Sequence, residues 1–322
     1  MCIRDSNQFR ERSIETYEVS FNPLTMSKLL GYLETFNPDL IHVQSLRSYP
    51  FGRKIMGRLR KPVVLTVHTR PDSRARPLRE EYLCGAVAAN EVIREGLVND
   101  LDMDKSSVRV IERGIDLDAF KPGKNGYWTT DEDRLPVVGC IGQLSEEKGQ
   151  HLLVRAARLV LEQGVQAHFA IVGDGETASS LHDLVKELGL ELNVTFSPHI
   201  SGRQALYGLF DIVAMPVLKG GVGVTAIESM AMGRPLITSG LGEMLHLVKD
   251  GETGLLFPEG DVEALAARIL ELIRNPEEIS RIGESARSWV EKEFVLDPMV
   301  DETIDFYAEC LDRIDEERTI EA

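Results

Sequence analysis

The sequence predicts an α/β protein built from two doubly wound parallel sheets. Short apolar runs alternate with amphipathic, helix-like runs along most of the chain, which is typical of parallel strands covered by helices on both faces. The length of 322 residues suggests roughly two domains of about 150 residues each. A polar stretch with glycines, residues 123–135, separates the two halves and is typical of a linker.

The first half, residues 1–122, starts without a clear pattern. The first convincing strand lies at residues 39–45, so we expect this domain to be incomplete at its start, or its first codons to be an assembly scar. The pattern then predicts a helix at 51–60, a strand at 62–68, a short strand running into a helix over 85–101, and a strand ending at Gly114.

The second half, residues 136–297, repeats the alternation more regularly. Strands are predicted at 137–143, 167–175, 193–198, 211–216 and 235–240, and helices at 149–164, 179–190, 203–210, 225–233 and 261–275. In open sheets of this kind, ligands bind beyond the carboxyl ends of the strands.

Composition excludes several classes of function. A net charge of −16 and a pI near 5.0 argue against nucleic-acid binding by the chain as a whole. Four scattered cysteines without a C-x-x-C pair indicate neither a disulfide framework nor a zinc site and fit a reducing, cytoplasmic compartment. No apolar run reaches the length of about 20 residues needed to span a bilayer, and we expect no secretory signal.

A first group of glycines, in residues 139–150, follows a predicted strand and precedes a helix. Such a turn lets a ligand approach the backbone, and the helix N-terminus favours an anion. Lys148, just before that helix, is placed to neutralise a phosphate. The alternative is an ordinary tight turn with a solvated lysine. The segment contains no G-x-G-x-x-G, which disfavours a nicotinamide dehydrogenase.

A second group lies in KGGVGVTAIESMAMGRP, residues 219–235. Backbone N–H groups of residues 221–224 are candidates for an anion nest ahead of the helix that carries Glu228. A carboxylate there is able to accept both hydroxyls of a ribose. The alternative is an acid placed favourably in the first turns of a helix, but its apolar neighbours imply that Glu228 needs a partner.

These segments resemble glycosyltransferase family 4, the group 1 retaining enzymes of the GT-B fold. The resemblance covers roughly residues 108–294 in order, and it is carried by IERGIDLDAFKP, IGQLSEEKGQHLLVRAA, AIVGDG, LYGLFDIVAMP, GVGVTAIESMAMGRPLITS and DGETGLLFP. In the first half, DLIHVQS and PVVLTVH also resemble the family's acceptor domain.

The resemblance implies a role for each matching residue. Lys148 matches the lysine on the donor's pyrophosphate, Glu228 the ribose-binding acid, and His68 a histidine that faces the transferred sugar from the opposite domain. An alternative for His68 is a capped histidine at a strand end. The implied donor-binding set is Gly142, Gln143, Lys148, His199, Ile200, Gly220, Gly221, Val222, Gly223, Val224 and Glu228.

Three positions depart from the family pattern. Gly220 stands where the family has the first glutamate of its E-x7-E motif, and Gln143 where it has an arginine that shares the pyrophosphate charge. Because charge-assisted hydrogen bonds are roughly twice as strong as neutral ones, leaving-group stabilisation rests on Lys148 and backbone N–H groups. The loop LGEMLH replaces a glycine pair and a Pro-Glu.

Positive charge is concentrated in residues 47–79, which hold ten Lys or Arg and one acid. Within it, residues 50–61 have the pattern of a basic amphipathic helix. One hypothesis is that this face binds an anionic membrane surface or acceptor. The alternative is a sheet-covering helix with a solvated basic side. Four arginines that follow His68 are candidates to meet a phosphate on the acceptor: Arg70, Arg74, Arg76 and Arg79.

The family resemblance implies transfer of a hexose from a nucleotide diphosphate sugar to a hydroxyl of a glycan or glycolipid, with retention at the anomeric carbon. It implies no metal and no cofactor, an acceptor at the cytoplasmic face of the membrane, and a helix at 298–318 that packs back on the first domain. Two alternatives stay open: a weak or inactive nucleotide-sugar-binding homologue, and a GT-B sugar-nucleotide epimerase that needs no acceptor.

Overall fold

The structure, a computed structural model, describes residues 23–71, 77–78, 81–122, 134–198, 202–220, 223–242 and 244–321. These residues form two parallel sheets, one of four strands and one of six, as the alternating pattern predicts. Most of the predicted linker, residues 123–133, lies outside the described ranges.

The first sheet follows the order of its strands along the chain. Its strands are β1 (Ile41–Val43), β2 (Val63–Val67), β3 (Leu83–Ala88) and β4 (Val108–Val110), paired in parallel in the order β1-β2-β3-β4. The helices are α1 (Pro23–Phe36), α2 (Tyr49–Leu59) and α3 (Glu91–Asn99). All five residues of β2 are buried, which explains why its sequence is a continuous apolar run.

Helix α2 uses its two sides differently. Its buried residues include Tyr49, Ile55 and Met56, and a Cβ added at Gly52 would lie 2.7 Å from a Val43 methyl, so this side covers β1. The opposite side exposes Arg53, Lys54, Arg58 and Arg60. On this basic side, Arg58 Nε pairs with Glu34 Oε1 at 2.7 Å. The packing alternative is therefore present.

The second sheet has the order β10-β9-β8-β5-β6-β7, all parallel. Its strands are β5 (Val137–Ile141), β6 (His168–Val172), β7 (Val194–Ser197), β8 (Ile212–Met215), β9 (Leu236–Ser239) and β10 (Leu255–Phe257). The strand order reverses between β5 and β8. A ligand crevice is expected at that switch point, outside the carboxyl ends of these two strands.

Helices cover both faces of the second sheet. They are α4 (Gln150–Glu162), α5 (Ala178–Glu187), α6 (Arg203–Leu209), α7 (Val224–Ala231), α8 (Met244–Leu247), α9 (Val262–Ile273) and α10 (Pro276–Glu293). One core contains Leu153 of α4, Leu181 of α5 and Ile269 of α9. The other contains Ile227 of α7 and Val290 of α10.

Two crossing segments connect the sheets, and they lie side by side. The Ile115 N–H donates to the Phe294 carbonyl at 2.9 Å, and Ile115 bridges Val295 in parallel. A Cβ added at Gly114 would lie 2.5 Å from the Val295 carbonyl oxygen and the Leu296 Cα. This close approach explains the glycine that ends the predicted strand.

Helix α11 (Leu296–Glu321) follows the second crossing and contacts the first sheet. It begins two residues before the expected start at 298, and Pro298 lies in its first turn, where a missing N–H costs no helical hydrogen bond. Phe306 and Cys310 pack with Val64 and Val87 in one buried cluster.

Candidate functional site

Three loops meet at the carboxyl ends of β5, β6 and β8, and glycines make their contact possible. Any Cβ added at Gly173 would collide with the Gly142 carbonyl oxygen, and one at Gly175 with that of Leu144. One at Gly149, which has a φ of +67°, would collide with the Pro216 carbonyl oxygen. The first predicted glycine group therefore shapes a crevice at the switch point of the sheet.

Lys148 faces the second glycine group across this crevice. It ends a single 3₁₀ turn, Glu146–Lys148, to which the following loop is tied, because the N–H groups of Leu218 and Lys219 donate to the Glu147 carbonyl at 2.8 and 3.1 Å. A Cβ added at Gly220 would lie 3.6 Å from Lys148 Nζ. Two segments that are about 70 residues apart in sequence thus bring an ammonium to a bare stretch of backbone.

The conformation of Gly220 bears on the missing glutamate. Its φ is +106°, a region that residues with side chains rarely adopt. The backbone described at this position is therefore suited to glycine rather than to the family's glutamate. The adjoining Gly221 and Val222 lie outside the described residues, and Gly223 precedes α7 as its N-cap.

Glu228 lies on α7, and its surroundings are apolar. It is 1% exposed, and the Tyr207 hydroxyl donates to its Oε2 at 2.8 Å. The same hydroxyl lies 3.2 Å from the Thr225 carbonyl oxygen, and Tyr207 is itself 0% exposed. Tyr207 on α6 is thus a partner that the buried carboxylate required, and it fixes the orientation of that carboxylate.

The other predicted donor residues are less informative. Gln143 is exposed, and its carbonyl accepts a hydrogen bond from Gln150 Nε2 at 2.9 Å. Val224, the first residue of α7, is exposed as well. His199 and Ile200 lie outside the described residues.

A pocket of about 180 Å³ lies between the two domains; we call it the interdomain pocket. Its polar lining comes from segments that follow β2, β3, β4 and β9 and from α10, and consists of His68, Asn90, Glu112, Arg113, His246, Trp289 and Glu293. Ile227, Leu247 and Phe294 add apolar surface. The ends of both sheets therefore contribute to one cavity.

His68 follows the last residue of β2 and carries a neutral imidazole. Burial, together with the charges of Arg113 and His42, lowers its pKa from 6.5 to about 4. Its Nδ1 is buried and has no hydrogen-bond partner among the residues that the structure describes. A neutral histidine that lines a cleft has one donor and one acceptor nitrogen and is suited to hydrogen-bond a ligand hydroxyl.

Glu293 acts on Glu112, the other glutamate of the interdomain pocket. Burial raises the pKa of Glu112, and the negative charge of Glu293 raises it too, whereas His246 lowers it. Glu112 comes from the first crossing segment, and Glu293 is the last residue of α10, just before the second.

The arginines predicted to meet an acceptor phosphate are only partly described. Arg70 pairs with Asp100, with 3.5 Å between Nε and Oδ2, and it is not part of the interdomain pocket lining. Arg74, Arg76 and Arg79 lie outside the described residues. Within the described ranges, no cluster of His, Cys, Asp or Glu is arranged to hold a metal ion.

Two family profiles match the chain. Residues 118–289 match the family described as glycosyl transferases group 1, and residues 9–119 match the one described as glycosyltransferase family 4. The first match alone covers more than half of the chain. The chain belongs to the group 1 glycosyltransferases.

Similar proteins include other glycosyltransferases. D-inositol 3-phosphate glycosyltransferase of Corynebacterium glutamicum (strain R) is 28% identical over 280 residues, which cover 77% of this chain and 67% of that protein. The GDP-mannose-dependent alpha-(1-6)-phosphatidylinositol monomannoside mannosyltransferase of Mycolicibacterium smegmatis is 30% identical over 190 residues, 55% of this chain and 50% of that protein. The chain thus spans about two thirds and half of the lengths of these relatives.

Solved structures show the same fold. Anabaena HepE in complex with UDP-glucose has a TM-score of 0.83 and 20% identity, over 94% of this chain and 88% of that one. Sucrose-phosphate synthase from Thermosynechococcus elongatus has a TM-score of 0.75 and 22% identity, over 92% and 83%. The glycosyltransferase therefore has the predicted GT-B fold.

Several site residues of this glycosyltransferase were missed by sequence reasoning. Tyr207 lies in a predicted helix with no polar pattern around it. Glu112 lies near the end of a predicted strand, and Glu293 ends helix α10, which was not predicted. Both glutamates line the interdomain pocket, which forms only when segments far apart in sequence meet in the tertiary structure. None of the helices in the described part of the chain is long and apolar enough to cross a membrane.

Proposed function

We propose that this glycosyltransferase transfers a hexose from a nucleotide diphosphate sugar to a hydroxyl of a glycan or glycolipid, with retention at the anomeric carbon. The family membership supports sugar transfer, and one protein of the same fold, Anabaena HepE, was solved in complex with UDP-glucose. Retention of the anomeric configuration is proposed from the family resemblance. It can be tested by determining the anomeric configuration of the product by NMR.

The convergence of Lys148 with the Gly220 loop is the observation that carries the proposal. A diphosphate leaving group gains negative charge as the bond to the sugar breaks, and an ammonium beside backbone N–H groups stabilises that charge. The N-terminus of α7, which begins at Val224, points the positive end of its dipole toward the same crevice.

Glu228 and His68 are the proposed contacts to the rest of the donor. The Glu228 carboxylate, oriented by Tyr207, is proposed to accept the ribose hydroxyls. The neutral His68, which lines the interdomain pocket, is proposed to hydrogen-bond the transferred sugar. Closure of the two domains would bring these groups together and exclude water.

A second candidate is a nucleotide-sugar binder with little transfer activity. The positive φ of Gly220 and the exposed amide of Gln143 favour it, because the crevice then lacks one carboxylate and one guanidinium of the family motif. Binding without turnover is its signature.

The proposed setting of the reaction is the cytoplasmic face of a membrane, where a glycolipid acceptor would be reached. The exposed basic side of α2 supports this setting, since exposed Lys and Arg attract anionic lipid by about 1 kcal/mol each. The acceptor itself and the base of the donor are left open by this proposal.

The role of Lys148 can be tested without an acceptor, because water is able to take the acceptor's place. The assay measures release of nucleoside diphosphate from UDP-glucose, GDP-mannose and ADP-glucose. The protein is expected to release diphosphate from one donor, and Lys148→Ala to slow the release about a hundredfold, as for loss of one charge-stabilising group. Lys219→Ala is the matched control, because that side chain is 80% exposed and pairs weakly with Glu147. Equal effects of the two substitutions would remove Lys148 from the mechanism.

A further inference from the structure

Two cysteines that are far apart in sequence lie side by side in the first domain. Cys84 is in β3 and Cys310 in α11, and both are free thiols. Cys310 belongs to the buried cluster in which α11 packs on the first sheet, and Cys84 packs against that cluster. The Cys84 thiol donates a hydrogen bond to the Cys310 sulfur and also lies 3.2 Å from the Val63 carbonyl oxygen.

An irregularity in β3 turns Cys84 toward α11. Two consecutive residues of β2 pair with Leu83 and Gly85, so Cys84 is an extra residue between two paired ones. In a regular strand, Cys84 and Gly85 would point to opposite faces of the sheet, but a bulge re-aims a side chain. A Cβ added at Gly85 would lie 2.7 Å from Phe306 Cζ, and Cys84 packs against the same cluster as Phe306. Both residues therefore face α11.

The position of Cys310 on its helix matches this close approach. Phe306 and Cys310 are four residues apart on α11, a spacing that places side chains on the same face of a helix. A disulfide requires Cα atoms that are about 4.4–6.8 Å apart, which only closely packed backbones allow. The contact between β3 and α11 supplies such packing.

The two thiols differ in exposure and in their charged neighbours. Cys84 is partly exposed, whereas Cys310 is 0% exposed. The hydrogen bond from Cys84 lowers the pKa of Cys310, and Arg313, whose Nη2 lies 3.7 Å from the Cys310 Sγ, lowers it as well. Burial and the charge of Glu309 act in the opposite direction without reversing the result. Cys310 is thus suited to take a proton from Cys84, the thiol that an oxidant reaches.

Cys140 provides a comparison within the same chain. It is buried in the core of the second domain, where burial raises its pKa to about 12. Thiols react as thiolates, and a cysteine buried in apolar surroundings is inert. Cys140 is therefore expected to stay reduced where the pair reacts.

We propose that Cys84 and Cys310 form a reversible disulfide in the presence of hydrogen peroxide, and that this bond fastens α11 to the first sheet. The Cys84 sulfur attacks one peroxide oxygen, the O–O bond breaks, and the thiol proton leaves with the other oxygen as water, by way of the Cys310 sulfur. Cys310 then attacks the sulfenic acid on Cys84, the S–O bond breaks, and a second water carries away the Cys310 proton.

The step is balanced, since two thiols lose two electrons and one peroxide is reduced to two waters. A dithiol reductant reverses it by thiol–disulfide exchange, and in reducing compartments disulfides of this kind are transient and redox-sensing. Helix α11 continues directly from the second crossing segment, so the bond fastens this segment's continuation to the first domain. The inference does not depend on the proposed function.

Oxidation followed by peptide mapping tests the inference. The full chain is reduced with dithiothreitol, freed of reductant, treated with hydrogen peroxide and digested. We expect a peptide pair cross-linked through Cys84 and Cys310, the loss of two hydrogen atoms from the intact mass, and recovery of both thiols on renewed reduction. Cys140 should remain a free thiol. The oxidised protein should unfold at a higher temperature than the reduced one, because the cross-link closes a long loop.

Substitutions of the cysteines supply the controls. Cys84→Ser and Cys310→Ser are each expected to abolish the cross-link and the rise in unfolding temperature, whereas the matched control Cys2→Ser should keep both. A cross-link between two chains, a sulfinic acid on Cys84 beside a reduced Cys310, or a disulfide that involves Cys2 or Cys140 instead would overturn the inference. An unchanged unfolding temperature of fully cross-linked protein would overturn the fastening of α11. Should a serine variant not fold, the peptide map of the unsubstituted protein decides by itself.

Discussion

Gly220 illustrates how the conformation of a single residue limits the chemistry of the site. Its φ of +106° was not readable from the sequence, which showed only that a glycine replaces the family's glutamate. Restoring the glutamate would require a side chain where the backbone favours none, at a cost of about 1–3 kcal/mol. The absence of that carboxylate is therefore built into the loop conformation.

Gly220→Glu is expected to weaken nucleotide binding rather than to restore transfer. The new carboxylate would lie beside Lys148 Nζ, which is 3.6 Å from the Cβ position, and would compete with the diphosphate for the ammonium. Gly164→Glu is the matched control, since Gly164 also has a positive φ, +75°, but an added Cβ there meets nothing within 4 Å. Both variants should lose stability in urea, and only Gly220→Glu should lose nucleotide affinity by calorimetry. Increased transfer by Gly220→Glu would contradict this account of the loop.

Buried histidines make the stability of the fold depend on pH. The pKa of His42 and that of His68 are each lowered from 6.5 to about 4, chiefly by burial. Between about pH 6.5 and 4 the unfolded chain binds protons at these positions and the folded chain does not. The free energy of unfolding is therefore expected to fall as the pH drops through this window.

Urea unfolding of the protein and of His68→Asn across that window measures the effect. The variant should show a shallower loss of stability, because one of the two protonations is removed. Comparison with the variant cancels other groups, such as Glu112, whose raised pKa acts in the opposite direction. Parallel curves for the two proteins would contradict the buried, neutral state of His68.

Among the elements, length and periodicity decided what could be predicted. Strands such as β5 and β8 and helices such as α4 were predicted, because apolar runs and helical periods are strong there. Strand β10 was not predicted, because its three residues are too few to show a periodic pattern. Helix α10 was overlooked although Pro276 and two glutamates in its first turn are a typical helix start, so a capping signal could have found it.

Because the two crossing segments lie in close contact, Gly114 is expected to be sensitive to substitution. Gly114→Ala would push its Cβ to 2.5 Å from the backbone of Val295 and Leu296 and force the segments apart. We expect a loss of about 1–3 kcal/mol in the free energy of unfolding, the usual cost of overpacking. Transfer should be slower as well, since the proposed domain closure would act through these segments. Gly57→Ala in helix α2, where nothing lies within 4 Å, should instead gain about 0.5–1 kcal/mol. Equal stability of the two variants in urea would contradict the close contact of the segments.

The basic side of α2 predicts binding to anionic membranes. The protein should sediment together with vesicles that contain phosphatidylglycerol. Substitution of Arg53, Arg58 and Arg60 by glutamate should abolish this binding, since each charge contributes about 1 kcal/mol. The matched control reverses Arg155, Arg158 and Lys186, which are exposed on α4 and α5 of the second domain. Absence of binding by the unsubstituted protein would refute the membrane hypothesis and leave α2 as a sheet-covering helix.

At the scale of the whole molecule, the fold was predictable and the pocket was not. Alternating strands and helices determined two parallel sheets, and glycines at strand ends located Lys148 and the Gly220 loop. The proximity of these two groups depends on the strand order β8-β5-β6, which no local pattern encodes. The partner of Glu228 and the carboxylates of the interdomain pocket likewise come from segments far apart in sequence.

The central claim is that the second domain still binds a nucleotide through Glu228, and calorimetry with UDP, GDP and ADP tests it directly. We predict that one nucleotide binds selectively, that Glu228→Ala abolishes binding, and that Tyr207→Phe weakens it by about tenfold or more, as expected for loss of a hydrogen bond to a charged group. Thermal unfolding of both variants controls for folding. Binding of none of the three, or undiminished binding by Glu228→Ala, would contradict the account and leave the glycine-lined crevice without its proposed ligand.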